Sequence, residues 1–142
     1  MLKNLSNQGI IKEKEERIKA DEMIDMLSIK TNSAETTIQL LSGGNQQKCI
    51  MARLIAADSK ILILDEATQG IDVEAKSQIY FIMDELAKAG KAILFISSDL
   101  SEVIGISDRI LIMRHGHIVR ITDGKEAQRM KVLWDATVGS ED

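Results

Sequence analysis

Three short, uninterrupted apolar runs constrain this chain most: ILIL at 61–64, AILFI at 92–96 and ILIM at 110–113. Each is too short for a stable helix and lacks polar alternation, so each reads as a buried strand. Between the first two, Ile79, Ile82, Met83 and Leu86 recur at helical spacing, and Lys88-Ala89-Gly90 closes that helix. Strand, helix, strand in this order implies parallel pairing through a right-handed crossover. The third run differs, because RILIMRHGHIVRI can turn back through His115-Gly116 as a β-hairpin. The fold class is therefore α/β: parallel strands, flanking helices and a C-terminal hairpin.

Upstream, KEKEERIKADEMIDMLSI sets Ala20, Met23, Ile24 and Leu27 at helical spacing. Its charge run from Lys12 to Lys19 reads as a solvated helix face. The polar stretch KTNSAETT follows as a loop, and a second helix is expected from about Asn45 to Ala57, with Ile50, Met51, Leu54 and Ile55 on one face. Asp123 and Glu126 form a capping box for a closing helix that runs to about Trp134. Proline is absent, so every turn rests on Gly, Asn, Asp or Ser.

Composition narrows the function classes. A chain of 142 residues can bury one real core. A net charge of −4 and only 3% aromatic residues argue against a nucleic-acid partner. Cys49 is the single cysteine, which excludes an intrachain disulfide and a cysteine-based zinc site, points to a reducing compartment and suits a small core residue. No stretch reaches signal-peptide or transmembrane length, so a cytoplasmic chain is expected. His115 and His117 flank the hairpin turn with no carboxylate cluster beside them, which favours a turn role over a metal site.

Two stretches can carry chemistry. In LSGGNQQK, Leu41 to Lys48, two glycines open a helix. They can present free N–H groups to an anion, or simply cap the helix. In ILILDEAT, Asp65 and Glu66 stand at the C-terminal end of a buried strand, the edge where open α/β sheets bind ligands. An acid there can help hold magnesium, and its neighbour can orient an attacking water. Read alone, the pair is equally two solvated carboxylates.

Taken together and in order, LSGGNQQK, ILILDEATQGID, FISSDLSEV and DRILIMRHGHIV resemble the ATP-binding cassette (ABC) ATPases. The first is similar to the ABC signature, ILILDE to Walker B, QGID to the D-loop and ISSD to the switch-histidine region. The form LSGGNQQK with GID is most similar to the second cassette of tandem bacterial sugar importers of ribose, galactose and xylose type. The resemblance implies a partial P-loop NTPase fold whose phosphate-loop strand is missing. It implies one incomplete domain over residues 1–142, with the helical subdomain and signature helix over about 10–57 and the remaining motifs over 58–142.

The same resemblance implies site residues and partners. Ser42, Gly43, Gly44 and Gln46 would contact the γ-phosphate of ATP held by an opposing cassette. Asp65 would support Mg2+ through water, Glu66 would polarise the attacking water, and Asp72 would communicate across the cassette interface. ATP and Mg2+ are the implied cofactors, in the assembled transporter. The implied partners are the opposing cassette, membrane permease subunits and, indirectly, a periplasmic sugar-binding protein. The location would be peripheral, at the inner face of the cell membrane.

Three departures from the family pattern stand out. No G-x-x-x-x-G-K-[ST] occurs, so the phosphate loop and its lysine are absent from this sequence. Ser98 stands at the switch-histidine position, and a serine cannot supply a protonatable contact. Ala67 stands where the family usually has proline. The chain alone is thus expected neither to bind ATP tightly nor to hydrolyse it.

In the family's topology the phosphate-loop strand lies between strand 92–96 and the strand starting near Arg109. Without it, either the hairpin re-pairs directly with strand 92–96, or two copies exchange elements as a homodimer. Two other readings fit the residues: a truncated non-enzymatic module that docks on an intact cassette, and a fragment of an ABC-type DNA-repair ATPase. The acidic balance and the absence of heptads count against the latter.

Overall fold

The computed structural model describes residues 13–139, together with the backbone of the short strands β1 (Ser6–Asn7) and β2 (Ile10–Ile11). Lys12, the first residue of the charge run, lies outside the described residues. The chain divides into two units, residues 1–62 with 68–94 and residues 63–67 with 95–142.

In the first unit β1 and β2 pair antiparallel. Helix α1 (Glu13–Met26) starts with Glu13, Glu15 and Glu16 in its first turn, where negative charge complements the helix dipole. Met23 faces inward, and Leu27 and Ile29 continue the buried row past a left-handed turn at Ser28 (φ 48°). A 3-10 turn at Ile38–Leu40 then leads into α2 (Gly43–Ala56). The buried stripe of α2 is Gly44, Lys48, Met51 and Ala52, not the expected Ile50, Met51, Leu54 and Ile55. Ile50 is exposed and Leu54 and Ile55 are half-buried, because the inward phase passes through Gly44 and Lys48.

Helix α3 (Val73–Lys88) buries Ile79 and Met83 and stops before Gly90, whose φ of 85° suits glycine. Strands β3 (Ile61–Asp65) and β4 (Ala92–Ile96) form the parallel pair, and both run through the boundary between the units. In the first unit Ala92 N–H donates to the Lys60 carbonyl at 2.9 Å. In the second, Glu66 N–H donates to the Ile96 carbonyl at 2.9 Å.

Burial of these strands is one-sided. Leu62 and Leu64 are 1% and 3% exposed, whereas Ile61 and Ile63 are 65% and 61% exposed. Leu94 and Ile96 of β4 are also exposed. The expectation of buried strands is therefore corrected: Ile61–Asp65 and Arg109–Arg114 each bury one face, and Ala92–Ile96 only half-buries one. A continuous apolar run records that both faces are apolar; it does not supply the element that would cover the second one.

The second unit holds α4 (Leu100–Ile106), β5 (Arg109–Arg114), β6 (His117–Asp123) and α5 (Arg129–Thr137). β5 and β6 form the expected hairpin, in register from Arg114 opposite His117 to Arg109 opposite Asp123, with a bulge at Ile112/Met113. His115 (φ 50°) and Gly116 (φ 79°) are both left-handed, as a type I′ turn requires. Ile110, Ile112 and Val132 form the core, with Leu100, Val103, Ile104, Ala127 and Ala136 packed on it. The capping box is corrected: Asp123 accepts from Lys125 N–H and caps a 3-10 turn at Gly124–Glu126. Ala127 is extended, so the closing helix begins only at Arg129 and continues to Thr137.

Among the described residues every ladder has two strands, and the hairpin pairs only with itself. Among the described residues the hairpin is not re-paired with β4.

Candidate functional site

Each unit carries part of the expected site. In the first, Ser42 is extended (φ −61°, ψ 155°) and precedes the first turn of α2. Its hydroxyl caps no backbone N–H of the helix but accepts from Asn45 Nδ2 at 2.8 Å. Asn45 Oδ1 in turn accepts from Lys30 N–H at 2.8 Å, and Gln46 Nε2 donates to the Leu41 carbonyl at 2.9 Å. Both amide side chains thus brace the loop, and the opening N–H groups of α2 have no intrahelical acceptor. Gln46 is occupied with the loop's own backbone, a role the resemblance does not assign to it.

Asp72 lies in the same unit and caps α3, its carboxylate accepting from Ala75 N–H at 2.8 Å. Ser42, Gly44, Asp72 and Lys48 share a cleft of about 120 Å³, together with Lys30 and Glu74. Gly44 is there for a packing reason: a Cβ on it would stand 2.5 Å from the Ala75 Cβ. Gly43 is less confined, since its nearest side-chain neighbour would be Ile71 Cγ2 at 3.4 Å.

Lys48 lines the same cleft, a position that sequence reasoning missed. It is 4% exposed, and its Nζ donates to the Ser28 carbonyl at 3.0 Å. Burial pushes its pKa below the ordinary lysine value, Lys30 adds to that shift and Glu74 opposes it. The available signal was its phase, four residues after Gly44 and three before Met51. Cys49, expected in the core, is half-buried, and burial pushes its thiol pKa up.

The second unit brings together Asp65, Glu66 and Ser98. Asp65 ends β3 and is exposed. Glu66 adopts a left-handed backbone (φ 47°), uncommon for a residue with a side chain. Its Oε1 accepts from the backbone N–H of Ser98 at 2.9 Å. The switch position therefore meets Glu66 through its main chain. Ser97 Oγ donates to Glu102 Oε2 at 3.1 Å, and Glu102 is a buried acid without a periodic sequence signal.

No group of three or more His, Cys, Asp or Glu residues is placed to hold a metal among the described residues. Magnesium takes one or two carboxylates plus waters and substrate phosphates, so exposed Asp65 fits a water-mediated contact and not a protein cage. Among the described residues, no helix is long and apolar enough to cross a membrane.

The family model described as ABC transporter matches residues 1–69. The ribose import ATP-binding protein RbsA of Oceanobacillus iheyensis is 45% identical over 139 residues, covering 98% of this chain and 28% of that protein. RbsA of Clostridium tetani is 50% identical over 128 residues, covering 90% of this chain and 25% of that protein. The chain therefore spans about a quarter of the length of the curated relatives it matches. A dimeric bacterial ABC transporter cassette shares the fold with a TM-score of 0.70 at 24% identity, over 82% of this chain and 50% of that one. An inward-facing ABC transporter does so with a TM-score of 0.77 at 21% identity, over 92% and 52%. Over almost its whole length the chain is thus similar to ABC-type ribose import ATP-binding proteins, and it shares the fold of ABC transporter cassettes.

Proposed function

We propose that this chain is the C-terminal part of the second cassette of an ABC sugar importer's ATP-binding subunit, and that it supplies the signature loop clamping ATP held by an opposing cassette. The observation that carries this reading is the α2 entrance. Ser42 leaves the backbone N–H groups uncapped, while Asn45 and Gln46 brace the loop that presents them. A helix N-terminus of this kind attracts a phosphate. The ribose-import relatives support a sugar as the cargo class.

In the assembled transporter Gly43, Gly44 and Ser42 would face the γ-phosphate, with Asp72 holding the start of α3 beside them. Glu66 would orient the attacking water, and Asp65 would hold a water of the magnesium ion. Magnesium, when bound with the nucleotide, neutralises charge on the transferring phosphoryl group. Permease subunits would receive the closure of the two cassettes, and the chain would then lie at the cytoplasmic face of the membrane. A homodimer in which two copies fill each other's missing strand belongs to the same reading of the chain alone.

Calorimetric titration with Mg-ATP, with mass checked by light scattering, tests the proposal. The chain alone gives no saturable heat, because no phosphate loop exists in this sequence. Mixed with a complete ATP-loaded cassette, it associates, and substitution of Ser42 by a bulky residue abolishes the association. Saturable ATP binding by the chain alone would overturn the reading.

A further inference from the structure

The turn between β4 and α4 is held rigid by its own side chains. Ser97 Oγ accepts from Asp99 N–H at 3.0 Å and donates to the buried Glu102 carboxylate at 3.1 Å. The Asp99 carboxylate accepts from Ser101 N–H at 2.9 Å and caps α4. These local bonds lock the backbone of the turn. From that frame Ser98 N–H reaches Glu66 Oε1 at 2.9 Å, while Glu66 N–H is itself held by the Ile96 carbonyl at 2.9 Å. One segment therefore grips Glu66 at its backbone and at its carboxylate.

We propose that Glu102, acting through Ser97, is a positioning residue that sets the Ser98 amide as the donor holding Glu66. The main chain orients the strand-end acid, and the side chain at position 98 is dispensable for that contact. This rests on the reading of Glu66 as the group that orients the attacking water. One carboxylate oxygen is occupied by the amide and the other is left to accept from water. A backbone amide does not titrate, so the donor at this position keeps its proton where an imidazole would gain or lose one.

The test is the Ser98 amide of the 142-residue chain, followed by its proton chemical shift and hydrogen exchange. E66A moves the proton upfield and speeds exchange about tenfold, the size expected for losing a bond to a charged acceptor. S97A and E102A reproduce that loss, whereas S97T and E102Q, which keep the Ser97–Glu102 contact, restore slow exchange. S98A keeps the exchange slow. An unchanged Ser98 amide in E66A, or in both S97A and E102A, overturns the proposal. Should E102A not fold, S97A with S97T decides the matter. No nucleotide enters this readout, so a failure here leaves the hydrolytic reading of Glu66 standing, and inactivity of an assembled transporter leaves this contact standing.

Discussion

Gly44 and Ala75 bring α2 and α3 so close that a Cβ on the glycine would stand 2.5 Å from the alanine Cβ. The second glycine of LSGGNQQK is thus required by packing within its own unit, whatever it does toward a phosphate. G44A is expected to destabilise the chain by about 1–3 kcal/mol despite alanine's better helix propensity. A75G should recover part of that loss, since the two sites share one contact. Thermal unfolding of the two single variants and the double variant measures it, and a G44A chain as stable as the parent would refute the packing role.

Lys48 links stability to alkaline pH. Its folded-state pKa is lowered by burial, so the unfolded chain holds its proton more tightly. Stability should therefore rise with pH across the window between that lowered value and the ordinary lysine value of 10.5, and stay flat with respect to this group below it. K48M removes the group and should flatten that rise. Urea unfolding at a series of alkaline pH values shows whether the parent and K48M curves diverge as required.

Asp72 is predicted to have a stability role separable from any signalling across an interface. D72A removes the acceptor for Ala75 N–H and should cost about 1 kcal/mol. D72N retains an acceptor and should cost little. Equal losses in the two variants, read from denaturation midpoints, would exclude the cap as the cause.

Gly124 is the tightest glycine of the second unit. Its N–H donates to the Asp108 carbonyl at 2.8 Å, and an added Cβ would overlap the Ser107 carbonyl group, with Ser107 C at 2.9 Å. Backbone cannot swing away as a side chain can, so G124A should cost about 3 kcal/mol, at the upper end for overpacking. A nearly neutral G124A would mean that the loop at 107–108 relocates freely.

The α/β class was legible because its elements are marked locally. Ile79, Ile82, Met83 and Leu86 define α3 by spacing alone, and His115-Gly116 marks the hairpin by its turn chemistry. The strand-end position of Asp65 and Glu66 was legible because they follow an apolar run. What escaped is set by tertiary neighbours. Lys48 is buried because α2 turns it inward toward the Ser28 carbonyl, and nothing in its chemistry announces that. The left-handed backbone of Glu66 is imposed by bonds to Ile96 and Ser98, thirty or more residues away. The Asp123 capping pattern was real as a cap but misplaced, because Ala127 turns the backbone extended before a helix can start.

The half-covered strands have a thermodynamic consequence. Ile61, Ile63, Leu94 and Ile96 are already hydrated when the chain is folded, so unfolding adds little new apolar surface at those positions. Heat capacity on unfolding follows newly exposed apolar area, ordinarily about 12–15 cal/mol/K per residue. This chain should fall below that range. Its stability should consequently change gently with temperature, a broad low dome in place of a sharply peaked one.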